Sequence, residues 1–173
     1  MSDTEAAPVP FDADFLQKSE AVGTAEAWPV ADDGEYDMIC TESVRKMNNA
    51  KNGYNWMVSF MFKENTAERE QYGKMRFSTW IPLTPRSFPR IVDMYKALYD
   101  SEWPETGLDK AEMDDMIKNG KGRSALVTIE VAEHYKAETD DAFEGVKQNN
   151  IVGVASPELV GEDQAAFFQL PGQ

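Results

Sequence analysis

Between Gly34 and Ala155 three segments of apolar–polar alternation are followed by one of helical period and then by two more alternating segments. That order limits the fold more than any single residue does. In "GEYDMICTESV", Tyr36, Met38, Cys40 and Val44 share one face of a first strand. "KMNNAKNGYN" then supplies turn residues, and "WMVSFMFK" is a second strand with Trp56, Val58, Phe60 and Phe62 on one face and Met57, Ser59 and Met61 on the other. "ENTAEREQYG" reads as a polar connector, and "KMRFSTWIPL" as a third strand ended by Pro82 and Pro85.

The period changes in "SFPRIVDMYKALYD", where Ile91, Met94, Tyr95 and Leu98 mark the apolar stripe of a helix. Residues 100–120 read as an irregular acidic insertion holding a short helix, Asp109 to Lys118, stopped by Gly120. "RSALVTIEVAEHY" is a fourth strand, "KAETDDAFEGVK" a hairpin-like loop and "QNNIVGVAS" a fifth strand. A mainly β domain of order β-β-β-α-β-β matches a five-stranded OB-type barrel, with the helix plugging one end of the closed sheet. An open α+β sheet with the helix on one face uses the same strands; the barrel is the preferred expectation. The expected domain is 34–157, with an acidic flexible arm over 1–33 and a tail over 158–173.

The formal net charge of -14 argues at face value against phosphate binding. Its distribution argues otherwise. Residues 34–99 hold ten Lys or Arg against seven acids, a local +3, and every other segment is negative. No apolar run approaches the ~18 residues of a membrane span, so no membrane partner is expected. Cys40 is the single cysteine, which precludes an internal disulfide and fits a reducing cytoplasm.

Catalytic and metal chemistry find little to use. His134 is the single histidine and stands at a strand end, and one Cys plus one His cannot make a zinc site. The adjacent pairs Asp114–Asp115 and Asp140–Asp141 do not converge on a helix or strand. "GKG" at 120–122 lacks the full phosphate-loop pattern. A non-enzymatic protein without cofactor or metal is expected.

Binding chemistry is better supplied. Proteins that hold single strands without sequence preference combine a cationic groove with aromatic platforms, each worth roughly 1–3 kcal/mol per base. The candidates are Arg45, Lys46 and Lys51 in the first connector, Tyr54 and Trp56 at the start of the second strand, and Lys74, Arg76 and Trp80 along the third. Trp56 shares its face with Val58, Phe60 and Phe62, which also reads as core. Trp80 shares its face with two cations and is the best single stacking candidate.

The succession "GEYDMICTESVRKMNNAKNGYNWMVSFMF", "YGKMRFSTWIPL", "RIVDMYKALYD", "NGKGRSALVTIEVAEHY" and "QNNIVGVA" resembles the single-stranded-DNA-binding proteins encoded by bacteriophages. In them a G-x-Y strand precedes a connector with Lys and Gly, and a G-K strand, a helix and a GK turn follow. The resemblance covers residues 34–155 and implies an OB fold and sequence-tolerant binding in replication or recombination, in the cytoplasm of a bacterial host. It carries binding onto Arg45, Lys46, Lys51, Lys74, Arg76 and Trp80. The tail "SPELVGEDQAAFFQLPGQ", acidic and then aromatic, is read as recruiting replication or recombination proteins through Phe167 and Phe168, or as docking these rings on the domain itself or on a second copy of the chain. Two rival readings stand beside this one: an acidic DNA mimic that blocks a nucleic-acid enzyme, and a non-enzymatic assembly module.

Overall fold

In the computed structural model, which describes residues 29–157, the chain is mainly β. The strands are β1 (Gly34–Met47), β2 (Tyr54–Phe62), β3 (Phe77–Pro82), β4 (Ser124–Glu133) and β5 (Lys147–Ala155). The helices are α1 (Ala67–Tyr72), α2 (Phe88–Tyr99) and α3 (Lys110–Asn119). The strands form an open sheet of order β3-β2-β1-β4-β5, with β1–β2, β2–β3 and β1–β4 antiparallel. The arm before residue 29 and the tail from 158, with Phe167 and Phe168, lie outside the described residues.

The described residues divide into two compact units, one of residues 32–130 and 150–157, the other of 29–31 and 131–149. Nearly all the core belongs to the first. Trp56, Val58, Phe60 and Phe62 of β2 are buried together with Met38 and Cys40 of β1 and Ala125, Val127 and Ile129 of β4, as the alternation predicts. Ile91, Met94, Ala97 and Leu98 are the buried residues of α2. Tyr95 is only half-buried and stacks on Tyr99 at 5.0 Å. In the second unit the backbone of Ala31 and the side chain of Asn149 exchange two 2.8 Å hydrogen bonds, so the end of the segment expected to be a loose arm is pinned.

Three local features depart from the sequence reading. The polar connector contains a helix, α1, because the Thr66 hydroxyl accepts from the Arg69 N–H at 3.2 Å and Gly73 ends the turn at φ 67°. Strand bounds differ too: β1 runs to Met47, so Arg45 and Lys46 lie within it and not in the connector, and β3 begins at Phe77, so Lys74 and Arg76 lie on the approach to the strand.

The third departure has the widest effect. Cys40 pairs with Phe60 but Glu42 pairs with Ser59, which makes Thr41 the extra residue of a β-bulge. Alternation changes phase there. Ser43, where the reading placed Val44, is the buried residue beyond the bulge, and Val44 is half-buried.

Helix α3 is started by Asp109, whose carboxylate accepts from the Glu112 N–H while Glu112 accepts from the Asp109 N–H, both at 2.8 Å. Its far end is bound to the bulge. The Ser43 hydroxyl donates to the Ile117 carbonyl and accepts from Trp56 Nε1 at 2.9 Å. Gly122 N–H donates to the Cys40 carbonyl, and Cys40 N–H to the Arg123 carbonyl, both at 2.8 Å.

The edge strands β3 and β5 and helix α2 line one cavity of about 440 Å³, with Ile81, Met94, Ile151 and Val154 among its walls.

Candidate nucleic-acid interface

Strand register decides which of the sequence-selected residues can act together. Val44 pairs with Met57 and Met57 with Trp80, so these three share the face of the sheet turned away from α3. Arg45 pairs with Trp56 and Trp56 with Ile81, on the face that α3 covers. The eight candidates therefore do not form one groove; the sheet separates them.

On the outer face Trp80 is 46% exposed, and the Lys46 ammonium lies 5.8 Å from its ring centroid. Arg76 reaches the same side, where its guanidinium meets Glu42 Oε2 at 3.2 Å; the other Glu42 oxygen lies 4.0 Å from Lys46 Nζ. Glu42 thus ties two of the cations to one carboxylate. Lys74 is exposed just before Arg76, in the chain leading into β3. Beneath them Met57 and Ser59 are buried, and the Ser59 and Ser78 hydroxyls are 2.7 Å apart.

On the opposite face Arg45 pairs with Asp114 of α3 at 2.9 Å and lies 4.9 Å from the centroid of the Tyr54 ring. Tyr54 is 45% exposed at the start of β2. Lys51 is exposed in the β1–β2 turn with φ 56°. Trp56 must be corrected as a stacking platform: it is 0% exposed, and its indole N–H is bonded to Ser43. Of its two readings, the core one matches the structure, because no ring face is open to a base.

The sequence reading passed over two cations. Lys118 and Lys121 stand exposed at the end of α3, and with Arg76 they line a hollow of about 540 Å³ beside the bulge. The residues Thr41 to Val44 form the rest of its lining. No periodicity points to this. The two lysines follow directly on the segment read as an acidic insertion or lie within it, and only the fold brings them to β1.

The most exposed aromatic of the described residues was also missed. In the unit of residues 131–149, Tyr135 is 71% exposed and stacks on His134, with ring centroids 4.6 Å apart. Phe143 stacks on His134 at 4.4 Å. The isolated histidine is therefore part of an aromatic pile within the β4–β5 connection.

Cys40, by contrast, is inert. Burial pushes its thiol up to about 11, although a backbone hydrogen bond with Glu42 works against the shift.

Among the described residues no helix is long and apolar enough to cross a membrane. Comparison with protein-family models finds none that matches the chain, and comparison with curated proteins finds no match either.

Proposed function

We propose that the protein binds single-stranded DNA with little regard to sequence, in the manner of the phage-encoded binders it resembles, and that it carries out no catalysis. The observation that carries the reading is the outer-face group of Trp80, Lys46 and Arg76, an exposed indole with two cations beside it. A base stacks on the exposed indole and its phosphates take up the cations, releasing counterions. Glu42 does not prevent this. Exposed ion pairs are worth about 0–1 kcal/mol, less than the roughly 1–3 kcal/mol of one stacked base.

The proposed architecture is an OB-type barrel. Support comes from the strand order, which leaves β3 and β5 as edges, and from the cavity that both edges line together with α2. A barrel of this order closes between those two strands. Action in phage replication or recombination, in the cytoplasm of a bacterial host, follows from the resemblance alone.

The test is fluorescence anisotropy of a labelled oligo-dT at low and moderate salt. The wild type is expected to bind saturably and more weakly as salt rises. Trp80→Ala is expected to weaken binding by about 1–3 kcal/mol, and Lys46→Glu/Arg76→Glu to abolish it at moderate salt. Absence of wild-type binding at low salt overturns the proposal and brings the DNA-mimic and assembly readings forward.

A further inference from the structure

The hollow beside the bulge has a charge pattern of its own. Arg76, Lys118 and Lys121 line it, and Glu42 is its one acidic lining residue. The Glu42 carboxylate is already engaged by Arg76 and Lys46, so its charge is matched. Among the described residues no carboxylate lies within ion-pair distance of Lys118 or Lys121.

The end of a helix is ordinarily a poor place for an anion, because its last carbonyls are unpaired. Here the Ile117 carbonyl is occupied by the Ser43 hydroxyl and by the Gly120 N–H. The turn is also held in place. Gly120 packs so closely that a Cβ would stand 2.7 Å from Ser43 Oγ, and Gly122, at φ 88°, lets the chain turn into β4. Two lysine stems therefore rise from a fixed base.

We propose that this hollow takes backbone phosphates of the same single strand that stacks on Trp80. The strand leaves the outer face past Glu42 and Arg76 and crosses the bulge to Lys121 and Lys118. The ligand chemistry is a phosphodiester run, and the assignment rests on the single-strand reading above. The bulge has two roles here: its phase change turns Ser43 inward to anchor α3, and that anchor delivers the two lysines to the strand's path.

The experiment compares the full chain with Lys118→Ala/Lys121→Ala and Lys118→Glu/Lys121→Glu, with Lys110→Ala at the other end of α3 as control. Affinity for a short and a long oligo-dT is measured across a salt series, with the quench of Trp80 emission at saturation read alongside. The double alanine variant is expected to bind the long oligonucleotide about 5- to 10-fold more weakly at low salt. Its slope of log affinity against log salt is expected to flatten by about 1.4, at ~0.7 for each single-strand phosphate that the variant no longer neutralises. The short oligonucleotide and the Trp80 quench should change little, and the glutamate variant should bind more weakly still.

Wild-type binding with unchanged slope in both variants overturns the phosphate path and leaves the single-strand reading standing. Failure of the wild type to bind either oligonucleotide overturns both. If inorganic phosphate shifts the amide resonances of residues 118–121 while the variants bind DNA normally, the hollow is a site for a free anion, and the strand path is wrong.

Discussion

The Lys46 ammonium lies over the outer-face indole of Trp80, 5.8 Å from its centroid, while Arg45, one residue earlier, is held on the other face by Asp114. Neighbouring cations in a strand thus serve opposite sides of a sheet. For an extended ligand on the outer face, Lys46 counts and Arg45 does not. Arg45→Ala is expected to change oligo-dT affinity less than about threefold, whereas Lys46→Ala should weaken it and lower the salt slope by about 0.7. Parallel salt titrations of the two variants check this.

Trp56 and Trp80 separate stability from binding. Trp56→Ala empties a fully buried site and is expected to cost roughly 3–5 kcal/mol of folding stability. The milder Trp56→Phe should lower the denaturation midpoint and leave oligo-dT affinity unchanged. Trp80→Phe should do the reverse, with small loss of stability and loss of most of the emission quench on binding. Urea unfolding and fluorescence titration of both variants decide it.

Ser43 and Gly120 should be energetically coupled. Ser43→Ala removes the partner of the Trp56 indole N–H and one of the two donors to the Ile117 carbonyl, at an expected cost of about 1–3 kcal/mol. Gly120→Ala drives a methyl to within 2.7 Å of Ser43 Oγ and should cost a similar amount, roughly 1–3 kcal/mol. Because the same oxygen is involved, the double variant should be more stable than the sum of the two losses predicts. A double-mutant cycle by urea unfolding measures the difference.

Cys40 gives the fold a pH signature. Its folded thiol titrates at about 11 because it is buried, against a reference value of 9.0. Below pH 9 both states keep the proton and the contribution is fully present. From about pH 9 to 11 the unfolded chain gives up its proton first, so stability falls as pH rises. Tyr36 and Tyr99 are also raised, mainly by burial, and push the same way at higher pH. Cys40→Ala is expected to flatten the decline across this interval, and thermal unfolding at graded pH checks it.

Much of the architecture is legible in the sequence because it depends on local period and capping. The stripe of Ile91, Met94 and Leu98 matches the buried face of α2, and the Asp109–Glu112 box starts α3 where the composition turns helical. The site is less legible for a specific reason. Alternation assigns faces only while phase is kept, and the phase of β1 slips at Thr41. Reading straight through this strand places Val44 inside and gives no reason to expect Ser43 beside Ile117. Trp80 can be selected because its whole strand keeps one phase from Phe77 onward. Lys118 and Lys121 carry no such signal, since their relation to Glu42 depends on contacts made some 75 residues apart in the chain.

The bulge also gives β1 a tolerance of length that residue identity does not capture. Substituting Thr41 alters one side chain. Deleting it would seat Glu42 directly after Cys40, still opposite Ser59, so that the ladder closes as a regular strand and Ser43 and Arg45 keep one face while Glu42 and Lys46 keep the other. A deletion further along β1 has no such slack and would put the residues on its two sides in conflicting phase. The strand can therefore lose its extra residue, and with it the local bend, and still present the same two surfaces.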